Sequence, residues 1–522
     1  MSRDTFRWIF AAVLLLGLAL RFARLELRPM HHDEANQALK FAALLETGEY
    51  RYDPREHHGP TLYYLTLPGA WARGFRNLEA LDEETLRAVP AVFGCGTIAL
   101  LLLSIPGLSR GAVALGGLFA ALSPVLTYYS RFYIQEALLA FFSLGFLLFF
   151  GRYALRPSAG RALAAGAIAG LACATKETAF ILAAAAVVAL MLGRSRAERG
   201  GDPPIRLLHA LCAVGAALIP IVLLYSSFLA DPAGIARFAG SLGNYARRAL
   251  APELHAQPWH YYLALLGFSA RGGLWWTEVW ILGLMPVGAA LSFGRECASG
   301  GERFWSRYIA LYSLLAAAAF SLLPYKTPWN LISFHAGFAL AAGNGAALLL
   351  RIVRPRMAKG VVFLLLLAGA GHLALQNRRA NFVYPADARN PYAYAQTMPD
   401  FLRLVRRVHE LAALHPGGRG MPVHVVAGPY EQWPLPWYLR DLKRVGYWTD
   451  AAQTGGFGDF AVVVASQENA LALESVLGGR AQSEIYGLRE GVFLTLFIER
   501  DLWRRYLESR LGERVPHAAR GR

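Results

Sequence analysis

A chain of 522 residues that is 55% hydrophobic and only 17% charged has too little polar surface to be a string of water-soluble domains. Its formal charge of +16 would suit nucleic acid, but the arginines gather at the ends of long apolar runs, where they orient a membrane protein. Cys95, Cys173, Cys212 and Cys297 lie in apolar runs or a short loop, so no disulfide framework is indicated.

In chain order, Met1 to Arg7 and the apolar stretch after it resemble a signal peptide. No small-residue cleavage site precedes Arg21, which predicts a retained first helix over 8–25. Further apolar runs follow near 86–106, 111–129, 134–155, 161–175, 178–193, 206–229, 274–293, 305–323, 329–350 and 357–375. Together they predict a polytopic α-helical membrane protein with about eleven transmembrane helices. The two shortest runs flank Lys176-Glu177, and that charge pair favours two spans meeting at a polar turn.

An N-terminus in the cytoplasm places Arg110, then Arg152, Arg156 and Arg161, then Arg194, Arg196, Arg199 and Arg206, then Arg295, Arg303 and Arg307, and finally Arg351, Arg354, Arg356 and Lys359 on the inner side. The acidic loop 26–85, with Glu56 among its carboxylates, and the loop 230–272 then lie outside. Trp259, Trp275, Trp276 and Trp280 fit an outer aromatic belt. Residues 1–379 therefore read as the transmembrane domain of an integral, multi-pass cell-membrane protein. From 380 to 522 the apolar runs shorten, and helical and strand-like patterns alternate: Asp400–Leu414, Pro422–Ala427, Asp459–Ala465, Glu468–Leu477, Val492–Ile498 and Asp501–Leu511. This predicts a small, soluble, non-cytoplasmic α/β domain.

Ionisable groups are densest in the first outer loop, at His31-His32-Asp33-Glu34 and His57-His58-Gly59-Pro60. Asp33 to Gly48 reads as a helix on the membrane surface, which would make Asp33 an N-cap. The same carboxylate sits where a lipid-linked head group would lie, and a helix N-terminus favours its ionised form, so it is also a candidate base. Arg131, Lys176 and Lys326 stand at the outer ends of apolar spans. Such cations commonly only snorkel to the interface, but Glu136 and Glu177 beside them each need a partner. Converging cations and carboxylates suggest a phosphate site with an acid–base group alongside.

His-His-Asp-Glu-Ala-Asn after the first span and His-His-Gly-Pro-Thr-Leu-Tyr-Tyr before the second resemble the first outer loop of the GT-C membrane glycosyltransferases, the glycosyltransferase family 39 group of protein O-mannosyltransferases and lipid A aminoarabinose transferase. Ser-Arg-Phe-Tyr-Ile-Gln-Glu, Pro-Tyr-Lys-Thr-Pro-Trp, Asn390-Pro391-Tyr392 and Trp433-Pro434-Leu435-Pro436-Trp437-Tyr438 bring the likeness closest to the flippase-activity-associated branch. The resemblance implies a GT-C-like fold with amphipathic helices in the outer loop. It also implies an enzyme moving a sugar from a polyprenyl-phosphate donor to a glycan, lipid or protein acceptor on the non-cytoplasmic face, with inversion.

By position, the resemblance makes Asp33 the base with Glu34 beside it. The candidates for the donor phosphate are Arg131, Lys176 and Lys326. His31, His32, His57, His58, Tyr63, Tyr64, Glu136, Glu177, Tyr325 and Trp329 are the substrate-binding candidates. His57-His58 stands where that group usually carries a proline pair, so a divalent metal held by His32, Asp33, His57 and His58 is the one cofactor to consider. A flippase or flippase partner would need the head-group contacts without the base, and a secondary transporter is disfavoured by the scarcity of midplane charges.

Overall fold

The computed structural model describes residues 1–55, 57–105, 107–193, 206–250, 255–294, 297 and 299–514. Glu56, Arg194, Arg196, Arg199 and Arg295 of the charge pattern above lie outside this set. Each predicted apolar run carries a helix: Arg3–Phe22, Glu83–Leu100, Arg110–Leu122, Glu136–Leu155, Ala159–Cys173, Ala179–Gly193, Leu207–Tyr225, Val279–Ser292, Gly300–Leu322, Ile332–Ile352 and Arg356–Arg378. Among the described residues, 6 helical stretches are long and apolar enough to cross a membrane, and four shorter apolar helices accompany them. Lys176-Glu177 does form a turn between two helices.

What the helices leave uncovered identifies their solvent. Leu207, Leu208, Leu211, Val214 and Ile219 on one helix, and Val361, Phe363, Leu364 and Leu367 on another, project outward. Such broad apolar faces are unstable in water but match lipid tails. Ile332–Ile352 is the opposite case, buried almost throughout. It packs on Arg110–Leu122 and Val279–Ser292 through small residues: a Cβ on Gly343 would lie 2.1 Å from the Gly116 nitrogen, so only glycine permits that approach.

Two helices, His32–Thr47 and Thr61–Ala72, occupy the loop 26–85; the second is apolar on nearly every side, which corrects the expectation of amphipathic helices there. The first ends as expected at Gly48, whose φ of 74° suits glycine. A short antiparallel hairpin, β1 (Ser269–Arg271) and β2 (Leu274–Trp276), turns through Gly272 and Gly273, both with positive φ. β2 displaces the start of the predicted span 274–293, and the helix there begins only at Val279.

Beyond Arg356–Arg378 the chain builds one five-stranded sheet from β3 (Val423–Val426), β4 (Val445–Trp448), β5 (Val462–Ser466), β6 (Ala481–Arg489) and β7 (Val492–Glu499), in the order β4-β3-β5-β7-β6. The first three strands are parallel and the last two antiparallel. Helices Pro399–Leu414, Gln467–Leu477 and Arg500–Arg514 pack on it. Strands β4 and β6 were not read from the sequence. One is four residues long with a glycine inside it, and the other is a polar edge strand.

This sheet unit is fastened to the first outer loop. Tyr438 accepts the Met30 N–H (2.9 Å), Gln396 and Thr397 donate to the Pro29 and Met30 carbonyls (2.9 and 2.7 Å), and the Trp437 indole N–H donates to Glu83 (2.9 Å). The Trp-Pro-Leu-Pro-Trp-Tyr stretch thus helps to fix the three residues ahead of His32.

Candidate active site

The N-cap of the first loop helix is His31, two residues earlier than the Asp33 cap that the sequence suggests. Its Nδ1 accepts the Asp33 backbone N–H (3.1 Å), and Glu34 reaches back to the His31 N–H (3.1 Å), completing a capping box. Because Nδ1 is an acceptor, the neutral ring carries its proton on Nε2, which is buried without a hydrogen-bond partner. Burial, reinforced by His32 and opposed by Asp33 and Glu34, lowers the His31 pKa to about 3.

Freed from capping, the Asp33 carboxylate meets His32 Nε2 at 2.9 Å and His31 Nδ1 at 3.6 Å, with 31% of its side chain exposed. Burial alone would raise its pKa. The charge and hydrogen bond of His32, with His31 and His58 behind, outweigh that and hold it well below the usual carboxylate range. Asp33 is therefore ionised, partly open and backed by imidazoles.

Glu34 belongs to another environment. It is fully buried, meets Arg87 Nε and Nη2 at 2.8 Å each, and accepts the Tyr133 N–H at 2.9 Å. Against burial, Arg87 and Arg28 bring its pKa down to about 2. Arg87 also donates to the Leu25 and Arg28 carbonyls (2.7 and 2.8 Å). Glu34 thus locks the loop to the helix Glu83–Leu100 and, being buried, stands apart from the part-exposed Asp33 with which the sequence pairs it.

The cations expected to hold a phosphate are likewise committed inside the protein. Arg131 donates to the Leu20, Ala23 and Arg24 carbonyls (3.0, 2.6 and 2.8 Å), closing the end of the first helix. Lys176 pairs with Glu136 at 2.5 Å, both buried. Lys326 donates from Nζ to the Gln257 and Leu323 carbonyls (2.8 and 2.5 Å). Charge and placement alone suggested phosphate binding, and neither reveals a partner that is distant in sequence.

The remaining candidates divide into two groups. Glu177 receives the Tyr52 hydroxyl (3.1 Å) and bonds His58 Nδ1 (2.9 Å). A Cβ on Gly59 would come within 2.1 Å of the Ala174 carbonyl, to which Thr61 also donates from Oγ1 at 2.6 Å. The His57-His58-Gly59-Pro60 segment is therefore pressed onto the Lys176-Glu177 turn, with His58 on the Asp33 side. His57 is buried, and burial and Lys40 outweigh Asp53 to bring its pKa down to about 4. Tyr63 hydrogen-bonds Gln37, joining the two loop helices, and Tyr64 donates to Ser227 at 2.9 Å, tying the second of them to the end of Leu207–Tyr225.

Trp329 and Tyr325 belong with two residues that the sequence did not single out. Trp329 lies 6.0 Å from His31, 6.3 Å from Phe132 and 5.9 Å from Tyr394 between ring centroids. His255 is 5.2 Å from Tyr325 and hydrogen-bonds the Tyr394 hydroxyl at 2.5 Å. Its imidazole is close enough to feel both Asp33 and His32, although burial is the larger influence and lowers its pKa. His255 (φ 52°) and Ala395 (φ 48°) both adopt left-handed backbone, a strain of about 1–3 kcal/mol per residue that proteins concentrate at functional sites. No motif marks either residue; their outlying φ values are the only pointer.

One donor atom from each of His31, His32 and Asp33 lies within 4.8 Å of the others, so these three could hold a divalent ion. His57 and His58, also considered as ligands, fall outside that group. A separate cleft of about 740 Å³ opens beyond Tyr52, between 49–55 and 230–237, with Lys40, Arg51, Arg55 and Arg237 among its walls alongside Glu49, Asp53 and Asp231.

The model of the dolichyl-phosphate-mannose-protein mannosyltransferase family matches residues 68–225. ArnT from Cupriavidus metallidurans bound to undecaprenyl phosphate superposes with a TM-score of 0.65 at 16% identity, over 96% of this chain and 99% of that one. The chain has the GT-C fold. Within that GT-C group, the oligosaccharyltransferase AglB from Archaeoglobus fulgidus, in complex with an inhibitory peptide and a dolichol-phosphate, also superposes (TM-score 0.54, 13% identity, 97% of this chain and 77% of that one). No curated protein matches by sequence.

Proposed function

We propose that this GT-C chain transfers a sugar from a polyprenyl-phosphate carrier to an acceptor hydroxyl on the non-cytoplasmic face, with Asp33 as the base. The orientation follows the positive-inside pattern, which keeps the N-terminus in the cytoplasm and puts the sheet unit on the outer side. The observation that carries the reading is a single ionised, partly exposed carboxylate, backed by His32 and facing residues from later outer segments, in a fold shared with lipid-phosphate-dependent transferases.

The phosphate is already a good leaving group, so no separate acid is required. The acceptor oxygen forms its bond to the anomeric carbon as the carbon–phosphate-oxygen bond breaks. The electron pair leaves on the phosphate, the acceptor proton passes to Asp33, and attack from the opposite face inverts the centre. With Arg131, Lys176 and Lys326 engaged elsewhere, the cation offered by the same helix as Asp33 is Lys40, which lines the cleft. Lys40 sits two helical turns after Asp33 on the same face, roughly 10 Å away by helix rise.

The test is Asp33→Asn in proteoliposomes loaded with polyprenyl-phosphate sugars. Loss of glycosylated product with lipid binding retained supports the proposal. Normal transfer refutes it, and a change only in the sidedness of the lipid-linked sugar would mark a flippase component.

A further inference from the structure

We infer that His255 and Tyr394, with Trp329 and Tyr325, form the subsite for the donor's sugar ring, an aromatic recess closed over Asp33 by the His255–Tyr394 hydrogen bond. The inference rests on the transferase reading above and specifies what that site grips.

The four side chains come from three separate stretches of chain and meet at one place. The second outer loop contributes His255, the turn before the buried central helix contributes Tyr325 and Trp329, and the segment leading into the sheet unit contributes Tyr394. Their rings are 5.2–5.9 Å apart and mostly edge to face, so they present faces at differing angles instead of stacking on one another. Sugar C–H groups pack on such faces, while the imidazole and phenol can bond the hydroxyls around the ring. A recess lined by indole, phenol and imidazole rings fits a polyhydroxylated ring better than a bare phosphate, and the Nζ of Lys326 beside it is already bonded to the Gln257 and Leu323 carbonyls.

The surrounding backbone is built to hold that arrangement. His255 O accepts the Lys326 N–H (3.1 Å), Gln257 donates to the Pro324 carbonyl (3.2 Å), and Lys326 Nζ clamps the same two strands of chain. Lys326 is thus a positioning residue for His255. Left-handed backbone at His255 and at Ala395, immediately after Tyr394, occurs on both sides of the one hydrogen bond.

The test measures binding, so it does not depend on turnover. The full chain in nanodiscs is titrated with bare undecaprenyl phosphate and with a panel of undecaprenyl-phosphate glucose, mannose, galactose and arabinose. At least one sugar-bearing lipid is expected to bind tighter than the bare lipid, and Tyr394→Phe and Trp329→Ala should each weaken that lipid 10-fold or more while changing the bare lipid less than 2-fold. His255→Gln, which keeps a hydrogen-bonding side chain, should retain more of the preference than His255→Ala. Equal loss for both lipids, or no sugar preference in the unmodified protein, overturns the inference. Asp33→Asn should leave the preference intact, so failure of the base assignment and failure of this subsite give different results.

Discussion

Glu34→Gln tests whether the acidic pair divides its labour, with one carboxylate for structure and one for chemistry. The substitution keeps the shape but leaves the Arg87 guanidinium, 1% exposed, without its counter-charge. Breaking a buried pair from one side costs about 3–5 kcal/mol. A carboxyl brought from 4.5 to about 2 corresponds to about 3 kcal/mol at neutral pH, in agreement. For a chain of this size the unfolding midpoint should fall by roughly 3–5 °C, followed by tryptophan fluorescence in nanodiscs at pH 7.

Since the folded pKa lies below the unfolded one, the contribution is complete above about 4.5 and disappears as pH falls toward about 2. The variant should therefore lose that part of the acid sensitivity. Removing both charges, in Glu34→Gln with Arg87→Met, should recover part of the loss but not all, because the Leu25 and Arg28 carbonyls forfeit their donor. A single-variant loss under about 1 kcal/mol, or a double variant as unstable as the two singles added, would refute the division.

Asp33→Asn should lower transfer at least about 100-fold while the chain stays folded, with a smaller loss of stability than Glu34→Gln because Asp33 and its His32 partner are part exposed; activity and melting on one preparation decide this. His31→Asn keeps a capping acceptor and removes a titration. The unmodified protein should lose about 1.4 kcal/mol per pH unit from the depressed His31 pKa as pH falls from about 6.5 toward 3, and the variant should lack that component of the slope. Lys176→Met alone should destabilise by about 3–5 kcal/mol and Lys176→Met with Glu136→Gln by much less, measured by the same melts. Chelation followed by metal analysis should show a stoichiometric divalent ion lost from the unmodified protein and missing from His32→Ala only if His31, His32 and Asp33 bind one.

The helical part of the fold was legible because lipid demands long apolar runs, and Gly48 announced the end of the loop helix. Asp33 was legible by its company, although histidine took the cap, a residue type seldom weighed for that role. The internal partners of Arg131, Lys176 and Lys326 were not legible, for a definite reason. A sequence reveals where a charge lies along the chain, whereas most partners here are carbonyls or a carboxylate supplied by another segment, the Leu323 carbonyl being local. Arg87 hid in the same way, as one more cation near a span end. His255 and Tyr394 were beyond reach because they converge from segments 139 residues apart, with no local pattern in either.

The grip of Gln396, Thr397 and Tyr438 on Pro29 and Met30 spans 367 to 408 residues of chain. At ribosomal rates of about 5–20 residues per second, the carboxylate-bearing loop is exported roughly 20–80 s before the segments that secure it exist. A ribosome stalled before residue 396 would leave a membrane-embedded intermediate whose first loop lacks the Gln396, Thr397 and Tyr438 contacts.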